Sequence, residues 1–96
     1  MTEIQVTYWR EIPSMVAARN GDEIAKVQLP QRFQEAIDEA AMRLGESSAD
    51  DYMAGWIRSA WEEFGADPVE AAQLKSANLD AEWSQERLDS YLDSLG

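Results

Sequence analysis

Ala25-Lys26-Val27-Gln28-Leu29-Pro30, running on through Gln31 to Trp61, decides how this chain is read. Ala25, Val27 and Leu29 alternate with Ile24, Lys26 and Gln28, the two-residue period of a strand with one buried face. Pro30 ends that strand and suits a first helical position, where its missing N–H loses no hydrogen bond. The period then changes. Phe33, Ile37, Ala40, Ala41 and Leu44 recur at helical spacing as far as Gly45, a residue suited to a helix C-terminus. A second helix is expected to open at Ser47-Ser48, with Asp51 three residues after the cap. Its stripe is Met53, Trp56, Ile57, Ala60, Trp61 and Phe64, and Gly65 stops it.

Upstream, Ile4, Val6 and Tyr8 alternate with Gln5, Thr7 and Trp9, so Glu3 to Arg10 reads as a strand, ended by Pro13. Met15 to Arg19 is a weaker second strand. Asn20-Gly21 is a hairpin signal, because both residues tolerate positive φ, and Glu23 to Leu29 returns as the third strand. Downstream, Asp67-Pro68-Val69-Glu70 combines a capping residue, a proline at the first position and a glutamate three after the cap, which opens a third helix. Ser76-Ala77-Asn78 reads as a break, and Leu79, Trp83, Leu88, Tyr91, Leu92 and Leu95 carry a fourth amphipathic stretch. The expected fold is a single α+β domain over residues 1–96. A short antiparallel sheet of two or three strands occupies 1–29, and three to four helices with an acidic C-terminal half occupy 30–96.

Composition narrows the function. The 96 residues contain neither cysteine nor histidine, which removes disulfides, thiolate metal sites, the commonest general base and the commonest nitrogen ligand for metals. No apolar run reaches the roughly 18–20 residues of a membrane span. The N-terminal Met1-Thr2-Glu3-Ile4 lacks the basic and apolar regions of a signal peptide, so the cytosol is the expected compartment. The formal net charge is -11, unevenly distributed: Met1 to Gly45 holds seven acidic and five basic residues, Glu46 to Gly96 twelve and three. Such a field keeps a small protein soluble and opposes phosphate binding unless cations are focused on one surface.

Candidate contact residues fall in two places. Tyr8-Trp9-Arg10 puts a large aromatic on the polar face of the first strand, beside an arginine. That is either the composition of a binding hot spot or, if a helix covers this side too, a second core contact. Lys26 and Gln28, with Ile24, form the outward face of the third strand, and Arg32 follows just beyond. Aromatics at helical spacing, here the second-helix stripe with Trp83 and Tyr91, are most often core. Four tryptophans are nevertheless many for one small core, and the alternative is that some of this apolar area completes an interface in a homodimer or a larger complex. Glu82, Glu86, Asp89 and Asp93 share a helix face and read as a solvated stripe, not an acid/base pair. Gly-x-Ser-x-Gly, phosphate-cradling and dinucleotide-binding glycine motifs are all missing. No catalysis, cofactor or metal is expected.

The order strand, helix, helix from Ala25 to Trp61 resembles the layout of ribbon-helix-helix DNA-binding proteins. That resemblance implies a regulator whose Lys26, Gln28 and Arg32 meet DNA, or a small antitoxin. Two longer blocks resemble another family: Val6-Thr7-Tyr8-Trp9-Arg10-Glu11-Ile12-Pro13, and Ala25 to Leu29 running into Arg32-Phe33-Gln34-Glu35-Ala36-Ile37-Asp38-Glu39-Ala40-Ala41-Met42. Over about Ile4 to Trp61 they are similar to the small bacterial "virulence factor" family, and to the N-terminal part of conserved virulence factor C. That family brings no catalytic residue set. It implies an accessory subunit beside one-carbon enzymes, of the methylenetetrahydrofolate reductase-like or corrinoid methyltransferase kind. The expected function is therefore a non-catalytic, protein-binding accessory subunit or adaptor, with Tyr8, Trp9, Arg10, Lys26, Gln28 and Arg32 as contact residues.

Overall fold

The alternation read from Glu3 to Leu29 closes into an antiparallel meander: β1 (Glu3–Trp9), β2 (Ile12–Asn20) and β3 (Glu23–Gln28). The computed structural model describes residues 1–45 and 48–95, and continues with α1 (Gln31–Arg43), α2 (Ala49–Ala54), β4 (Trp56–Arg58), β5 (Glu62–Glu63), α3 (Pro68–Glu82) and α4 (Gln85–Ser94). The sheet has five strands in the order β3-β2-β1-β4, with β5 also on β1, and every pairing is antiparallel. The α+β class holds, with four helices and more strands than the two or three expected.

Alternation gives the sheet two unlike faces. Ile4 and Val6 of β1 stand opposite Ala18 and Val16 of β2, which stand opposite Ala25 and Val27 of β3. α3 lies on this face, packed mainly on β2 and β3, and buries Ala71, Ala72, Ser76 and Leu79. Small side chains on both layers let helix and strands approach closely, and the packed residues join one core cluster. α1 packs on the end of β2 and against α4, bringing Phe33 and Ile37 to Leu88 and Leu92. Fully burying each such side chain stabilises the fold by about 1.5–3 kcal/mol.

Helix ends follow their local chemistry. The Asp67 carboxylate accepts from the Glu70 N–H at 2.9 Å, with Pro68 at the first position, as the sequence predicts. Ser48 accepts from the Asp51 N–H at 3.3 Å; Ser47, named with it, lies outside the described residues. Gly45 has φ +70 and donates to Met42 O at 3.1 Å, closing α1 with the left-handed residue that glycine permits.

Four expectations are corrected. The second helix, expected from Ser48 to Phe64, stops after six residues, and Trp56–Arg58 joins β1 as a strand. Short runs rich in Trp and Ile serve either period, and β1 offers an open edge whose unpaired N–H and C=O groups need partners. Gly55 makes the turn because it passes against Trp9 too closely for any side chain. The expected break at Ser76-Ala77-Asn78 is absent. α3 runs on to Glu82, with Ser76 turned into the helix–sheet interface, where its small size fits. Pro13 sits inside β2, opposite Tyr8, at a register shift beyond the last β3 pairing at Met15, where its missing donor interrupts little. The β2–β3 turn is centred on Gly21 (φ +60) and Asp22, one residue later than Asn20-Gly21, since Asn20 still pairs with Glu23.

Candidate functional site

The other face of the sheet is a grid of side chains set by register. Lys26, Ala17 and Gln5 stand in one row across β3, β2 and β1. Gln28, Met15, Thr7 and Arg58 stand in the next, reaching β4, and Ile24, Arg19, Glu3 and, on β5, Glu63 form a third. Between them lies a depression of about 240 Å³, lined by residues of all three rows together with Trp61. Small Ala17 forms its floor; Met15, Ile24 and Trp61 give it apolar walls. Ile24 is 67% exposed.

Ser59 fixes the β4 side. Its N–H donates to Val6 O at 2.9 Å, its hydroxyl accepts from the Val6 N–H at 3.0 Å, and its carbonyl accepts from Gln5 Nε2 at 3.0 Å. That triple attachment carries Trp61 to the sheet, where the Arg19 guanidinium lies 3.9 Å from its ring centroid and Arg19 Nε is 3.2 Å from Glu3 Oε1. Among the described residues Lys26 and Arg58 make no ion pair. Three of the chain's eight cations thus meet on one face; among the described residues no carboxylate lines the depression, and those of Glu3 and Glu63 end the third row at its edge, Glu3 on Arg19.

The residues expected to form a site do not come together. Trp9 points away from Tyr8 as alternation requires, but it is 0% exposed: the Tyr52 ring lies tilted against it, centroids 5.8 Å apart, and its Nε1–H donates to Tyr52 O at 2.8 Å. It is a core residue, closed off by the turn at Gly55, the second of the two readings its place on the strand allowed. Tyr8 is half-buried on the α3 side, where burial first, then the carboxylates of Glu82 and Glu62, push its hydroxyl pKa up. Arg10 sits exposed at the β1–β2 turn with φ +54, its N–H donating to Gly55 O at 2.8 Å and its guanidinium 5.6 Å from the Trp9 ring. Arg32 is a structural clamp. Its guanidinium donates to the Asp80 and Trp83 carbonyls at the end of α3, pairs with the Asp80 carboxylate and stacks on Phe33. Only Lys26 and Gln28 remain on the open face.

Arg19, Arg58, Met15 and Trp61 were missed. Alternation through Met15 to Arg19 could have placed two of them outward; Arg58 and Trp61 were hidden by the helix expected over them. The acidic residues of α4 line its solvent side, with Asp93 joining Arg43 at 3.5 Å. Among the described residues no group of three or more acidic side chains is arranged to hold a metal ion. No helix there is long and apolar enough to cross a membrane.

Fold and geometry define a small α+β protein whose antiparallel sheet is covered by a helix on one face and largely open on the other. The Virulence factor family model matches residues 7–92, nearly the whole chain, and the chain belongs to that family. No curated protein and no solved structure matches it.

Proposed function

We propose that this protein is a non-catalytic accessory subunit that binds another protein through the open face of its sheet. One observation carries the reading: Met15, Ile24 and Trp61 leave apolar surface around a small-residue floor, ringed by Arg19, Lys26 and Arg58. Interfaces join an apolar centre to a polar or charged rim, with Trp and Arg enriched at the residues that matter most. Lys26 and Gln28 keep the contact role read from the sequence, and Met15, Ile24, Arg58 and Trp61 join them. Enzymes of the methylenetetrahydrofolate reductase-like and corrinoid methyltransferase kinds are the first partners to try, following the family resemblance.

The test is co-purification of a stoichiometric protein from the native cell, compared with Met15→Ser/Ile24→Ser, which removes apolar surface without altering charge. Loss of the partner with an unchanged circular dichroism spectrum is the expected result. A partner retained by the double variant would place its contact elsewhere and defeat the proposal. Turnover of a metabolite by the purified chain would defeat its non-catalytic part.

A further inference from the structure

The open face also carries information about what lies on it. Lys26 is on β3, at one side of the sheet, and Arg58 is on β4, three strands away and one outward-facing row further along. With strands about 4.8 Å apart and alternate residues about 6.8 Å apart, the two positions are separated by about 16 Å along a diagonal. That diagonal passes between Ala17 and Met15 on β2, and between Gln5 and Thr7 on β1. The two cations therefore flank a shallow neutral trough. Arg19, held by Glu3 and Trp61, closes one side of it.

Resting on the proposed protein-binding role, we infer that this trough receives an extended acidic segment of the partner. Carboxylates at positions i and i+4 reach Lys26 and Arg58, and an apolar side chain at i+2 settles on Ala17 and Met15. In an extended chain, residues i, i+2 and i+4 point the same way, and i to i+4 spans about 13–14 Å. The long side chains of lysine, arginine and glutamate cover the remainder. Charge complementarity selects the sign: Arg19 is already paired with Glu3, whereas Lys26 and Arg58, at the two ends, have no carboxylate against them among the described residues. Burying such cations against a neutral surface leaves them uncompensated, whereas a carboxylate at each end pairs them.

Two other occupants fit less well. A second copy stacked face to face would double the cations in the contact and add carboxylates only from the end of the third row, Glu3 and Glu63, the first of them already on Arg19. A single-stranded nucleic acid would need base-stacking platforms, but the one aromatic ring lining the trough, Trp61, already has the Arg19 guanidinium against it.

The experiment titrates the isotope-labelled full chain with a synthetic peptide, Glu-Ser-Leu-Ser-Glu flanked by serines, at low salt, following amide resonances. Expected are shifts confined to the neighbourhood of Gln5, Thr7, Met15 and Ala17. Affinity should fall about tenfold in Lys26→Gln/Arg58→Gln, the size of two exposed ion pairs, and fall again as salt is added. Both substitutions are at exposed positions and leave the core intact. Three results would each overturn the inference: no shifts at millimolar peptide, equal binding of the peptide with both Glu replaced by Gln, or tighter binding of oligothymidylate. If the acidic peptide fails while Met15→Ser/Ile24→Ser still releases the native partner, the binding role stands and the acidic occupant alone is rejected.

Discussion

Replacing Gly55 with alanine sets local preference against tertiary packing, and the two predict opposite signs. Gly55 has φ -76 and ψ -18, a conformation any residue adopts, so backbone terms alone favour alanine by up to about 1 kcal/mol. A Cβ at Gly55 would lie 2.5 Å from both Cε2 and Nε1 of Trp9 and 3.0 Å from Cζ2. Carbon atoms settle at about 3.5–4.0 Å, so ring and turn must separate by about 1 Å. Trp9 is 0% exposed, so its ring can move only by displacing neighbours in the core. Overpacking of this kind costs about 1–3 kcal/mol. The same movement stretches the 2.8 Å bond from Trp9 Nε1–H to Tyr52 O, which contributes about 0.5–1.5 kcal/mol. Set against the backbone gain, the net expectation is destabilisation by about 1–3 kcal/mol.

For a chain of this length each kcal/mol lowers Tm by about 4–8 °C, well within reach of thermal unfolding followed by tryptophan fluorescence and circular dichroism. The cause is checked in the Trp9→Phe background, where the smaller ring leaves room and Gly55→Ala should cost less. A Gly55→Ala protein that melts higher than the parent would refute the reasoning. Such a result would favour the unbroken helix from Ser48 to Phe64 that the residue pattern by itself predicts.

Arg32→Gln should destabilise by about 1–2 kcal/mol, because one amide cannot satisfy two terminal carbonyls of α3 as the guanidinium does. The deficit in urea unfolding should persist in about 1 M salt, where an ion pair alone would be screened away. Alkaline stability depends on the two half-buried tyrosines. Burial and then Glu82 and Glu62 raise the pKa of Tyr8; burial and then Glu11 raise that of Tyr91, with Arg10 and the Glu11 backbone opposing. A raised pKa means the folded state holds the phenolic proton more tightly than the unfolded one. The contribution is therefore intact below the unfolded value of about 10 and is lost as pH rises through the folded value. Urea midpoints measured from about pH 8 to 11 should fall at the alkaline end, and Tyr8→Phe should flatten that fall.

Much of this architecture is written locally. The alternation of Ile4, Val6 and Tyr8, and of Ala25, Val27 and Leu29, marked the buried side of two strands correctly. The sequence by itself also determined the helix opened by Asp67 and Pro68, the stop at Gly45 and the outward direction of Lys26 and Gln28. These features depend on periods, caps and backbone freedom within a few residues of chain. Tertiary structure alone decided that Trp56 to Arg58 is a strand, that Trp9 is core and that Arg32 is a clamp. Each of those outcomes depends on a surface contributed from far along the chain: the β1 edge for Arg58, the turn at Gly55 for Trp9, the end of α3 for Arg32. The open face belongs to the same class. Lys26 and Arg58 become two ends of one trough only when four strands are laid side by side, and the pairing energy of that sheet has no signature in a single segment.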